Sequence, residues 1–538
     1  MRGAAFIAAV SVLAAAGPAG AGTKLVVTGH GWGHGVGMSQ WGAFGYARHG
    51  WSWQRILAHY YQGTQISPAP LSRVRVLLAE KQSHARVACA APMRVNDVSG
   101  RGYALPADVY SFGPGLKLPV GHRRVRVHLR RKPFAVVTVK RALRPPLVFD
   151  CPSAPLTLNG RAYHGLLVVR RAGKSLSVVN SLPLDDYVRG VVGGEMPDRW
   201  SIAALEAQAV AARSYALATL KPNARFDLYS DTRSQVYGGI AYETARTNVA
   251  VERTAGKVLT WNGRVATTYF FSTSGGRTAD VHDVWPKLPA VPYLRAVDDP
   301  YDVASPHHVW GPLVLDVQRV AQKLNVPDGD VSVVRSPSGR IEAVRIGARR
   351  VSADRFRTEL GLASTWFEVG ELSLVGDRAQ VLYGGRLELA TRADGVGRAV
   401  LQRRIGAGPW KTLKAVRGAA RVALEPRAQT VYRLDAERVH GPVFTVAVAP
   451  MLEVTPAGAA LLDGTVQPHS RGAITITRSI AGGWKVVARP RLDAQGSFHV
   501  PLRLRRGAYR VAVAGDGRYA ATVRNLEVTP RLLASLTP

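Results

Sequence analysis

Across residues 72–182 the chain is written almost entirely in one period. The runs RVRVLLA, RVRVHL, AVVTV, GLLVVRR and SLSVVN place apolar residues on alternate positions, and turn clusters such as Asn159-Gly160 and Ala172-Gly173-Lys174 separate them. Successive side chains of a strand point to opposite faces, so this pattern fits half-buried strands and cannot line one side of a helix. The period changes for one long stretch. Residues 202–220 are rich in Ala, preceded by Ser201 as a helix cap and stopped by Lys221-Pro222-Asn223, which predicts a helix. Shorter helical patterns join Trp53, Ile56, Leu57, Tyr60 and Tyr61 before Gly63, and recur over 315–324 and 356–362. The expected fold class is α+β and rich in strands.

Beyond residue 367 the sequence repeats itself. GPWKTL at Gly408 returns as GGWKVV at Gly482, and VYRLDA at Val431 returns as AYRVAVA at Ala508. Two all-strand units of roughly 80 residues fit small β-sandwiches, with the shared Trp and Tyr-Arg read as core and turn residues. The expected division is 1–21, 22–367, 368–450 and 451–538.

The first segment reads as a secretory leader. Arg2 is the positive flank, residues 4–16 are apolar but too few to span a bilayer, and Ala19-Gly20-Ala21 offers a cleavage site. A buried N-terminal helix is the competing reading. Later stretches stay short of the ~18 apolar residues of a membrane helix, so stable membrane insertion is not expected. An exported chain allows Cys89 and Cys151 to pair, although two buried thiols fit their spacing equally.

Charge then narrows the partner. Lys and Arg number 71 against 37 Asp and Glu, a net charge of +34, while 46% apolar content excludes a disordered chain. No acid occurs from Arg123 to Arg144, where Arg124, Arg126, His128 and Arg130 alternate with Val125, Val127 and Leu129. Such a strand face is either simply solvated or binds an anionic wall polymer. Nucleic acid is not the expected partner of an exported protein.

Three Gly-rich segments carry the polar groups that chemistry needs. GHGWGHGVGMSQWGA, 29–43, interleaves glycines with His30, His34, Ser39 and Gln40, as if backbone were brought close to a ligand. Two histidines four apart bind zinc on a helix, and the glycines between them argue against one, so no metal and no cofactor are expected. LPLDDYVRGVVGGEMPDRW, 182–200, holds Glu195 among Val191, Val192, Met196 and Trp200. Desolvation there raises a carboxyl pKa, as a general acid requires; an acid complementing the dipole of the next helix is the alternative. On that helix Gln208 and Tyr215 share one face with Ala212, and Arg213 lies on another. TTYFFSTSGGRTADVHDVW, 267–285, supplies Ser272, Ser274, Gly275 and Gly276, hydroxyls and backbone N–H groups suited to sugars.

Together these segments resemble the SpoIID/LytB family of bacterial cell-wall proteins. LPLDDYVRGVVGGEMPDRWSIAALEAQAVAARSYALATL is similar to the family's central signature, followed in order by QVYGGIAYE, TAGKVLTWNG, YFFSTSGGRTADVHDVW and VPYLRAVDDPYDVASPHHVW. The GHGVGMSQWGA motif is also the family's, but it usually lies at the other end of the domain. The resemblance spans about 24–367. It implies a lytic transglycosylase acting on peptidoglycan glycan strands, with Glu195 as the catalytic acid and Gln235 and Tyr237 joining the substrate-binding residues. A non-catalytic amidase enhancer or wall-binding module is the alternative, and an amidase is an implied partner. Some members hold zinc through Cys and His before QVYGG, where this chain has Ser230 and Ser234.

Overall fold

The structure, a computed structural model, describes residues 19–126, 134–221, 225–437 and 439–536. The apolar run of the expected leader, the middle of the basic strand pattern at 127–133 and the helix stop Pro222-Asn223 lie outside the described residues. No helix among the described residues is long and apolar enough to cross a membrane.

Three of the alternating runs join one antiparallel sheet, while Lys117–Arg126 and Phe134–Ala142, which carry the other two, pair with each other as a separate hairpin. The strand order of the sheet is Leu228–Tyr229, Arg73–Gln82, Ser175–Pro183, Leu166–Ala172, Leu147–Asp150, Met93–Asn96 and Gly102–Leu105, with only the two-residue edge strand Leu228–Tyr229 running parallel to its neighbour. A smaller sheet beside it is stapled to this one by the disulfide between Cys89 and Cys151.

Five helices pack on this body: α1 (Gln40–Arg48), α2 (Trp53–Tyr60), α3 (Leu184–Glu195), α4 (Ile202–Ala218) and α5 (Ala245–Arg253). The Ala-rich segment predicted as a helix is α4, with Ser201 in the cap position but making no side-chain cap bond. It is buried from Ala204 to Leu217 with the exception of Tyr215. A helix apolar on all sides belongs in a core. Small alanines let α1, α2, α3 and α5 close around it.

The strand Ala19–His30 ties the molecule together. It runs antiparallel between Val309–Asp316 and Phe367–Gly376, in a sheet continued by Leu387–Asp394 and Gly418–Leu424. One face packs Leu25 and Val27 against Val317, Val320, Val344 and Phe356; the other puts Val26 into a core with Leu372, Leu389, Tyr432 and Leu434. The expected boundary at 367 therefore falls on a strand paired to the N-terminal strand. The last unit encloses its own core of Leu462, Ile476, Phe498, Tyr509 and Val511 between two sheets.

The repeated motif has a physical basis that differs in part from the expectation. Tyr432 and Tyr509 are buried core residues. The tryptophans are not. Trp410 stacks on Arg433 at 4.2 Å and Trp484, 44% exposed, on Arg510 at 4.3 Å, so each unit carries a surface Trp held by the arginine after its core Tyr.

Candidate active site

Glu195 is the last residue of α3, and the position is built by glycines. A Cβ at Gly193 would lie 1.8 Å from the Tyr242 carbonyl oxygen, and one at Gly194 2.4 Å from the Tyr242 ring. The bare helix face lets the 3-10 turn Gly239–Tyr242 press against α3 and fix its end. The alternative reading of Glu195 as a helix-dipole partner fails on this placement. It sits at the negative end of its own helix, separated from α4 by residues 196–201. Burial raises its pKa, while the Gln40 amide and the Val236 backbone pull the other way.

The 29–43 segment reaches this carboxylate from the far side of the sequence. Gln40 opens α1 and its Nε2 donates to Glu195 Oε2 at 3.1 Å. Trp41 and Phe44 of α1 pack on Trp200 at 4.8 and 4.7 Å, clamping α1 to the link between α3 and α4. Beneath, Gly42 leaves room for Tyr60 and Asp299, and Gly45 for the Tyr301 backbone. Ser39 is fully buried and caps α1 by accepting from the Gly42 N–H, so it offers nothing to the groove.

A cavity of about 540 Å³ opens over Glu195. Its walls include Trp32, His34, Gln40, Tyr215, Gln235, Tyr269, Phe271, Ser272 and Trp285. Among the described residues Glu195 is the one carboxylate in this lining. Tyr215, the half-buried exception on α4, stands 5.7 Å from Tyr269, which is 4.8 Å from Trp285. His34 Nδ1 accepts the Val36 N–H, placing the proton of the neutral ring on Nε2, and burial beside Arg340 pushes its pKa down to about 4. Gln235 donates to Tyr187 Oη and the Ala212 carbonyl, leaving its own buried carbonyl oxygen without a partner.

The structure gathers His34, Gln40, Tyr215, Gln235 and Ser272 around Glu195 and turns the other expected binding residues away. Arg213 is wholly buried, ion-paired with Asp185 at 2.7 Å and donating to the Lys257 carbonyl. Its charge ties α4 to α3 rather than meeting a substrate. Tyr237 is buried and donates to Asn180. Gln208 is buried in α4 with neither amide atom partnered, outside the cavity lining. His30 packs 5.0 Å from Trp366, also away from the lining.

The serine and glycine loop serves another purpose than expected. Ser274 Oγ and the Gly275 N–H both donate to buried Asp302, and the Gly276 N–H to Ser274 Oγ, so these donors are consumed internally. Gly31, at φ +73°, and Gly275, at φ +80°, face each other: a Cβ on either would come within 2.6 Å of the other loop. The glycines allow two loops to interlock, where the sequence pattern alone suggested approach to a ligand. Trp32, Tyr269, Phe271 and Trp285 complete the lining, and all stand inside the segments singled out. Exposure of Trp32, 46%, is the property that period and composition could not supply.

Comparison with known proteins places the site within a recognised family segment. The family model described as SpoIID, Stage II sporulation protein, matches residues 172–261, which contain Glu195, Tyr215 and Gln235. Stage II sporulation protein D of Bacillus subtilis is 34% identical over 223 residues, 37% of this chain and 63% of that protein. An uncharacterized protein of Brachyspira hyodysenteriae is 40% identical over 154 residues, 28% of this chain and 41% of that protein. The amidase enhancer of B. subtilis is 42% identical over 118 residues, 21% of this chain and 15% of that protein. The chain thus spans less than two thirds of the length of each of these relatives.

Proposed function

The chain belongs to the SpoIID/LytB family, a group tied to the bacterial cell wall, and on that premise we propose that it is an exported lytic transglycosylase of peptidoglycan glycan strands. The observation that carries this is a single half-buried carboxyl of raised pKa in an aromatic-walled cavity. Flat apolar sugar faces suit Trp and Tyr rings, and the hydroxyls and amides between the rings read the edges.

Glycosidases that add water need two carboxyl groups, one for the leaving oxygen and one for water or the sugar carbon. A transglycosylase needs one. Protonated Glu195 gives its proton to the bridging oxygen as the bond from MurNAc C1 breaks through an oxocarbenium-like state. Its carboxylate then removes the proton of the MurNAc C6 hydroxyl as that oxygen closes on C1. The products are a 1,6-anhydro end and a free GlcNAc hydroxyl, and Glu195 is reprotonated for the next cycle. The nucleophile is already on the sugar, so proximity supplies much of the rate. Gln40 holds the carboxylate in place and stabilises its charged form between the two proton transfers.

The second reading is an enhancer that presents wall glycan to an amidase without cutting it. The 42% identity to the amidase enhancer favours it. Peptide-free glycan strands separate the two: mass spectrometry of the digest shows anhydro ends under the first reading. No anhydro ends, with a partner amidase still stimulated, would establish the second.

A further inference from the structure

A second cleft, in the last unit, is lined by arginines. The loop between strands Leu461–Gln467 and Ile474–Ile480, and the segment after strand Gly483–Ala488, enclose a cleft of about 550 Å³. Arg471, Arg489 and Arg491 line it together with His469. Among the described residues none of the three guanidinium groups has a hydrogen-bond or ion-pair partner. The nearby acid is engaged with the loop's framework: Asp516 accepts from Ser470 Oγ, the Arg471 N–H and the Tyr519 N–H. Gly472 lies so close that a Cβ there would be 1.8 Å from the Ala514 carbonyl oxygen, so the loop is held firmly.

We propose that this cleft binds the phosphate groups of a phosphodiester-linked polymer of the cell envelope and docks the protein on the wall. The assignment rests on the wall-directed reading above. Guanidinium forks match phosphate oxygens bidentately, and three that lack protein partners keep their full capacity for a ligand. The unit as a whole, 451–538, holds twelve Lys and Arg against five Asp and Glu. The cleft is open, so one phosphate is held weakly and a repeating chain gains by multivalency. The Cys89–Cys151 disulfide is of the kind that persists in an oxidising compartment, which favours an envelope polymer over nucleic acid.

The test uses the full-length protein and a purified polyglycerol phosphate, followed by isothermal titration at several salt concentrations. A triple variant, Arg471→Gln, Arg489→Gln and Arg491→Gln, is compared with Arg503→Gln, Arg505→Gln and Arg506→Gln, which removes equal charge from exposed positions of the same unit. The cleft variant should bind at least tenfold more weakly, with a salt slope shallower by about two, and the control should stay near wild type. Inorganic phosphate alone should compete only at far higher concentration. Equal losses in both variants would overturn the cleft in favour of diffuse charge. Equal affinity for a polyglucuronate would overturn the phosphate assignment, and equal affinity for single-stranded DNA the envelope assignment. Glycan cleavage is scored separately on soluble strands: its absence in the wild type overturns the transglycosylase and leaves the polymer result readable.

Discussion

Glu195 and Gln40 share a hydrogen bond in the candidate site, and the proposed chemistry makes a distinct prediction for each. Glu195→Gln keeps the size and the hydrogen bonding of the side chain and removes its transferable proton. Release of anhydro ends should fall by about 10²–10⁴-fold or more, with the circular dichroism spectrum unchanged. Gln40→Ala removes a donor that stabilises the carboxylate. The pKa of Glu195 then rises further, so the acid stays protonated to higher pH and the alkaline limb of kcat/KM moves upward. A purely structural role for Gln40 would lower activity at every pH alike. Arg213 belongs to stability. Arg213→Met leaves Asp185 unpaired and the Lys257 carbonyl without its donor, which should cost on the order of 3 kcal/mol in urea unfolding. Glu195 was legible in the sequence because a carboxylate among Val, Met and Trp is anomalous wherever it falls. The inward turn of Arg213 was not, since a helix face says nothing about which neighbour covers it.

At the scale of elements, glycine decides how closely α3 and α1 approach what they touch. Gly193→Ala brings a methyl onto the Tyr242 carbonyl. The helix propensity gained is smaller than the overpacking penalty, so stability should fall by about 1–3 kcal/mol and turnover with it, as Glu195 is displaced. Under α1, burial and the neighbouring Asp302 raise the Asp299 carboxyl to about 7. A folded value above the ordinary 3.8 means that its contribution is full below about pH 4 and is lost as pH climbs toward 7. Melting temperature should decline across that window, and Asp299→Asn should flatten the decline while keeping an acceptor for the Tyr60 hydroxyl. Period and capping signals located α2 and α4 well. They placed the helix of 315–324 two residues early, because Asp316 caps it and Leu315 still belongs to the preceding strand.

For the molecule as a whole, the strand Ala19–His30 makes the division at 367 a poor place to cut. Ending the chain there removes all of Phe367–Gly376 but its first residue, the neighbour paired along most of its length, and leaves Val26 without its core. Such a truncation should melt lower or be insoluble, whereas a chain ending at Pro450 keeps both sheets. The latter loses contacts such as those from Tyr519 and the Ala520 N–H to the Val448 carbonyl, and should melt only a few degrees lower. Composition shifts and repeats showed where the sequence changes character. Sheet pairing between residues more than 300 apart leaves no trace in a local pattern.

That pairing also sets an order of events. The hydrogen bond between Gln40 and Glu195 spans 155 residues, and the strand that carries His30 is completed by residues 350 positions away. Loops of that length close late and slowly. A chain delivered from its N-terminus presents Gln40 long before the helix that bears Glu195, and both before the strand that locks the first segment in place. The cavity therefore comes into being only after most of the polypeptide has emerged. Under the proposed function, a transglycosylase folded in this sequence is inert during its own delivery and becomes competent in one late step.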